Sequence, residues 1–283
     1  MREMTLGQYY PIASPVHRLD ARVKLLITII YIVTLFLVKQ FMVFGLIALA
    51  LIGVIIASRV PFGKVIKSLK LILFLLLFTV IMTVLFYAPS EGETPLWSWL
   101  SINIYSSALT NAGFLAVRLT LLVLGPTMLT YTTTPVELTD ALESLLKPLS
   151  LIGLPVHYLA IIMQIALRLI PTFVEETDKI INAQKARCAD FDSGNLFKRA
   201  KAMIPVLIPL FVSAFRRADD LADAMDSRCY RGAKGRTRMK RMKVGVSGVI
   251  ALILTALLLF AVLTVTYNFF PSVIDFSSFG WLV

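Results

Sequence analysis

The chain has 283 residues, 58% of them hydrophobic and only 16% charged, with a mean hydropathy of +0.81. A soluble domain averages roughly 45–50% apolar and about 25% charged, so an ordinary soluble fold is excluded. Disorder requires few apolar residues and a disulfide scaffold more than two cysteines, here Cys188 and Cys229, which leaves an all-α integral membrane protein whose net charge of +11 should gather on one side of a bilayer.

A membrane span needs about 20 mostly apolar residues. The first 20 residues are mixed and polar, so no cleavable leader is expected. Residues 25–38 and 41–58 are apolar and are separated by Lys39-Gln40. One helix across both would be about 51 Å long at ~1.5 Å per residue, too long for a ~30 Å hydrocarbon core. Two short spans fit better, with Arg22 and Lys24 snorkelling to lengthen the first. They also place the basic arm (Arg2, Arg18, Arg22, Lys24) and the basic loop (Arg59, Lys64, Lys67, Lys70) on the same side, as the positive-inside rule requires. Five spans follow, at about 22–38, 41–58, 69–87, 111–131 and 244–267. Segment 88–110 has no Lys or Arg and carries Trp97 and Trp99, so it reads as an outer loop near the interface. The tail 268–283 is likewise free of Lys and Arg and falls outside. The chain thus divides into an arm with four spans (1–131), an inner coupling region (132–243), and a last span with its outer tail (244–283).

Within the fourth span, Arg118 is costly unless it has a use. It lines a site, pairs with a polar group on another helix, or snorkels outward.

The inner region holds 18 of the 28 basic and 12 of the 17 acidic residues and is too long for a connecting loop. Thr134-Pro135-Val136-Glu137 offers a Thr cap, a first-turn proline and an acidic first turn, opening a helix that Pro148 stops. A second helix runs from Gly153-Leu154-Pro155 to about Ala189. His157, Gln164, Arg168, Glu175 and Lys179 draw one polar stripe along it, and Pro171 is expected to kink it. A third runs from about Leu196 to Tyr230, with Pro205 and Pro209 expected to break its first half. Both long helices start apolar, contain Ile-Pro, turn charged, and end in a small-Arg-Cys triplet: Ala186-Arg187-Cys188 and Ser227-Arg228-Cys229. Small neighbours let a partner surface approach, and each guanidinium can fork onto a carboxylate or carbonyl there. The alternative is a pair of solvated helix ends, where arginine is also favoured.

Several chemistries find no support. There is no phosphate-cradling G-x-x-x-x-G-K-[ST] loop. His17 and His157 are far apart, and the two cysteines are single, so no metal site is expected and no disulfide in a reducing cytosol. The basic run Lys234–Lys243 abuts the last span and reads as a lipid-headgroup contact rather than a nucleic-acid site. Besides a non-catalytic scaffold, the competing classes are a self-sufficient permease or channel, which would need a polar path through the spans, and a membrane enzyme acting on lipids.

The chain resembles the T component, the transmembrane coupling subunit, of energy-coupling factor transporters, a branch of the ABC importers. Ser14-Pro15-Val16-His17-Arg18-Leu19-Asp20-Ala21-Arg22-Val23-Lys24-Leu25 is similar to that family's opening block. Arg118-Leu119, Thr133-Thr134-Pro135 with Leu138, Ala166-Leu167-Arg168-Leu169-Ile170-Pro171-Thr172 and the two triplets follow in the same order. The departure is cysteine where the family commonly has glycine at the third triplet position. The resemblance implies a multi-pass protein of the bacterial cell membrane, N-terminus cytoplasmic and C-terminus outside. It implies two cytosolic ATPase partners, docked by the triplets around Arg187 and Arg228, and a membrane-embedded substrate-binding S component, with several such components sharing one T component in many family members. It further implies vitamin or micronutrient uptake, ATP and Mg held by the partners, no cofactor on this chain, and a structural role in the coupling helices for Arg168, Pro171, Pro205 and Pro209.

Overall fold

The computed structural model describes residues 9–38, 40–87, 97–99, 102–153, 155–189, 191, 195–232 and 245–268. Their order is α1 (Ala21–Leu37), α2 (Phe41–Ser58), α3 (Phe62–Leu85), a short hairpin β1 (Trp97–Trp99) and β2 (Ile102–Ile104), α4 (Ser106–Thr132), α5 (Pro135–Leu146), a 3₁₀ turn (Lys147–Ile152), α6 (Val156–Ala186), α7 (Leu196–Ser227) and α8 (Val246–Asn268). The protein is all-α apart from that hairpin, which lies in the segment expected to be an outer loop and pairs Trp97 with Ile104 and Trp99 with Ile102.

A helix covers each of the five expected spans. Those long and apolar enough to cross a membrane are α2, α4, α6 and α8, joined by α3 if its two halves count as one span. Two differences follow from composition. α3 begins at Phe62 and bends by 53° between Lys70 and Ile72, where first turns carrying Lys64, Lys67 and Lys70 give way to turns without a charged residue. α6, expected wholly within the inner region, passes the same length and hydropathy test, since Arg168 is the one charged residue in its first half. α1, with 17 residues, is about 25 Å long, at the lower limit for a span.

Among the described residues two compact units divide the chain: 9–138 with 245–268, and 139–232. In the first, α4 packs against α1, α2 and α3, and α8 packs against α1. One face of α2 (Val43, Phe44, Ile47, Leu51, Ile55) meets Leu35 and Val38 of the α1 end and Leu121, Met128 and Tyr131 of α4. The opposite faces stay apolar and exposed, as at Met42, Leu49, Phe74 and Phe260, which suits a surface solvated by lipid rather than water.

The α1–α4 contact has an internal register. Lys24, buried near the start of α1, donates from Nζ to the Thr132 carbonyl at the end of α4, 2.7 Å away. Arg118 of α4 donates from Nη2 to the Val38 carbonyl that caps α1, at 2.8 Å. The two antiparallel helices therefore cap each other's C-termini, with cation and carbonyl 14 positions apart on both (24 to 38, 118 to 132). Midway between these ends, Tyr31 lies against Gly125 and its hydroxyl donates to the Leu121 carbonyl at 2.8 Å. Terminal carbonyls have no partner within their own helix, and a cation at a helix C-terminus also meets the negative end of the macrodipole.

Before α1, the arm folds onto the same end of α4. The Ser14 hydroxyl bonds His17 Nδ1 at 2.7 Å and accepts the His17 backbone N–H. His17 Nε2 donates to the Tyr10 carbonyl at 3.0 Å, and the Tyr10 N–H donates to Tyr131 O. Asp20 caps α1 by accepting the Arg22 N–H, and Lys24 Nζ also reaches the His17 carbonyl.

Candidate functional site

α5 opens as its sequence predicts, with Thr134 Oγ1 accepting the Glu137 N–H at 3.3 Å, and Gly153 at φ 88° ends the 3₁₀ turn. The polar stripe of α6 splits in two. His157 Nδ1 donates to Glu143 at 2.9 Å and Gln164 donates to Asp140, so the first half of the stripe binds α5. Arg168, Glu175 and Lys179 lie past the reach of α5 and are exposed.

The prolines do not interrupt either long helix. α6 runs through Pro171, and α7 through Pro205 and Pro209, correcting the expected break in α7. An interior proline removes one i→i−4 hydrogen bond. Pro205 and Pro209 stand four apart, so both losses fall on one helix face, which a helix absorbs by curvature rather than interruption.

Both helices end in the same cap. Ala186 is the last residue of α6, Arg187 is its C-cap at φ −92°, ψ 18°, and Cys188 follows at φ 63°. Ser227, Arg228 (φ −92°, ψ 12°) and Cys229 (φ 52°) repeat this at the end of α7. The hydrogen bonds agree too. Cys188 N–H donates to Lys185 O and Ala189 N–H to Gln184 O; Cys229 N–H donates to Asp226 O and Tyr230 N–H to Met225 O. This is the Schellman pattern, whose residue after the cap must be left-handed and is therefore usually glycine. The cysteines stand at that position, so the third place of each triplet is the one where the backbone asks for glycine, and each cysteine carries the left-handed cost.

Arg187, Cys188, Arg228 and Cys229 are all exposed, and the cysteines are free thiols. Among the described residues no ion pair or hydrogen bond engages either guanidinium. Each arginine thus leaves a capped backbone at the end of a helix of more than 30 residues, its guanidinium without a hydrogen-bond partner among the described residues.

Between the two helices, Arg217 Nη2 donates to Glu176 Oε2 at 3.1 Å, a contact absent from the expected stripe, which ran through the adjacent Glu175. Arg118 proves to be paired with a carbonyl of another helix; it also borders a cleft of about 360 Å³ with Thr83, Asn111, Phe114 and Leu115.

A family model described as cobalt transport protein, CbiQ, matches residues 13–239, from the arm through both triplets. The energy-coupling factor transporter transmembrane protein EcfT of Clostridium kluyveri is 49% identical over 244 residues, covering 86% of this chain and 90% of that protein. Its namesake in Ruminiclostridium cellulolyticum is 46% identical over 270 residues, with 95% and 100% covered. That of Bacillus subtilis is 43% identical over 264 residues, with 92% and 98% covered. The chain belongs to this family. It is a multi-pass transmembrane component of an energy-coupling factor transporter and works in a complex with other subunits. In the arm block, Ser14, His17 and Asp20 order the arm and the start of α1, and Lys24 ties α1 to the end of α4.

Proposed function

We propose that this chain is the coupling subunit of an ATP-driven importer. Arg187 and Arg228 each dock one of two cytosolic ATPase subunits, and α6 and α7 relay the movement of those subunits to a membrane-embedded, substrate-binding S component that carries a vitamin or other micronutrient. The observation that carries this reading is the repeated cap: two long helices present the same exposed arginine in the same backbone geometry. The two caps agree to within 6° at the arginines and 11° at the cysteines, so both guanidinium groups leave their helices from the same backbone frame. Fork-shaped guanidinium groups suit bidentate docking onto carboxylates or carbonyls. ATP and Mg²⁺ belong to the partners, and this chain binds no cofactor. With 18 of its 28 basic residues in 132–243, the tips face the cytoplasm, the N-terminus lies on that side and the C-terminus outside.

The test is Arg187→Glu with Arg228→Glu, purified in mild detergent and assayed for uptake in cells. The expected result is loss of the ATPase subunits, and of uptake, from a protein with unchanged helicity. An unaltered complement of partners and normal uptake would overturn the assignment.

A further inference from the structure

α6 and α7 pack against each other, and Glu176 and Arg217 join them, 3.1 Å apart. The Arg217 guanidinium also stands over the Phe173 ring, 6.0 Å from its centroid. The side chains are 24% and 41% exposed, and ion pairs this open add little to stability, so stability does not account for the pairing of Arg217 with Glu176.

Position along the helices does. Glu176 precedes Arg187 by 11 residues, and Arg217 precedes Arg228 by 11. At ~1.5 Å per residue each tip lies about 16 Å beyond the pair. With arms of equal length, the gap between the tips depends on one angle at this point. A change of ~10° there moves each tip by about 3 Å, roughly the length of the hydrogen bonds a docked guanidinium makes.

We infer that Glu176 and Arg217 are a positioning pair that sets the spacing of the two arginine tips, so that both partner subunits are engaged at once. This rests on the docking role proposed above. Simultaneous engagement multiplies affinity by a factor that vanishes when the geometry forbids it. The pair therefore matters only while both tips are in use, whereas a residue that merely held the fold would matter in every background.

The experiment measures the affinity of the full-length chain in detergent for the ATPase pair co-purified with the wild type. Glu176→Arg is expected to weaken binding by at least tenfold. The swap Glu176→Arg with Arg217→Glu is expected to recover most of that loss. In a chain already carrying Arg187→Glu, adding Glu176→Arg is expected to change binding less than twofold. A tenfold loss in both backgrounds would mean a general packing role and overturn the inference, as would wild-type binding by Glu176→Arg. If Arg187→Glu alone binds like the wild type, the docking reading itself has failed. If Arg187→Glu weakens binding and Glu176→Arg does not, the docking reading stands and the positioning pair falls.

Discussion

Gly125→Ala sets two physical effects against each other. Glycine in a helix interior costs about 1 kcal/mol relative to alanine, so propensity alone predicts stabilisation. Space predicts the reverse. A Cβ at position 125 would lie 2.7 Å from Tyr31 Cδ1 and closer still to Cε1, and the ring is held there by its hydroxyl bond to Leu121 O at 2.8 Å. Gly125 is buried and precedes Pro126, and a side chain before proline disfavours the helical region. Overpacking costs ~1–3 kcal/mol and a lost hydrogen bond about 1 kcal/mol. After the propensity gain is subtracted, Gly125→Ala should destabilise by roughly 1–3 kcal/mol. Thermal unfolding of the detergent-solubilised protein measures this. Tyr31→Phe, which removes only the hydroxyl bond, should cost about 1 kcal/mol. In a Tyr31→Ala background the alanine at 125 should be neutral or better, because the ring it strikes is gone. A single Gly125→Ala variant as stable as the wild type would show that the ring yields freely and that the register argued for α1 and α4 is not held at its centre.

Cys188→Gly and Cys229→Gly should each stabilise their helix end, by about 0.5–1 kcal/mol once the left-handed strain relieved is set against the added freedom of the unfolded chain; slower amide exchange at Ala189 and Tyr230 would register it, and unchanged or faster exchange would contradict the cap geometry. The arm should loosen in acid. Burial, and secondarily the nearby Lys24 ammonium, hold the His17 imidazole below its usual pKa, so the unfolded chain takes up its proton first. The contribution of His17 is then complete above about pH 6.5 and declines as pH falls below it. Melting at pH 7.5 and 5.5 should show a smaller pH dependence in His17→Gln than in the wild type, and equal slopes would refute the assignment.

The sequence was legible where one local effect dominates. Thr134-Pro135 starts α5 and the proline at 148 ends it, because capping and the missing N–H act over a single turn. The break between α1 and α2 falls where the polar pair Lys39-Gln40 is expected to divide them, with Gln40 as the N-cap of α2 and Lys39 outside the described residues. It was opaque where the outcome depends on what lies opposite. The stripe on α6 correctly gathered His157 and Gln164 on one face, but periodicity does not reveal that α5 ends before Arg168, or that the residue turned toward α7 is Glu176 rather than Glu175. Proline counted by itself overstated the interruption of α7, since two prolines on one face cost two bonds while every other bond of the helix remains. The triplets were visible as small-Arg-Cys. Their left-handed third residue was not, because nothing in a cysteine announces positive φ; the signal was the family's usual glycine at that place.

Lys24 and Arg118 show why an ionisable residue in a span is not by itself a transport path. Each lies in an apolar bundle where an uncompensated cation is expensive, and each reaches a helix-terminal carbonyl that would otherwise be expensive too. Pairing the two liabilities cancels much of both. Because the exchange is reciprocal, a slip of one residue along the α1–α4 contact breaks both ends together and carries Tyr31 off Gly125 as well. The register is therefore specified three times over about 21 Å of helix. Its lower end is also where α4 gives way to α5: Lys24 holds Thr132 O, and Asp20 and Glu137 lie within electrostatic reach of the same ammonium. One lysine thus fixes the arm, the start of α1 and the point at which the chain leaves α4 for the region carrying the two tips.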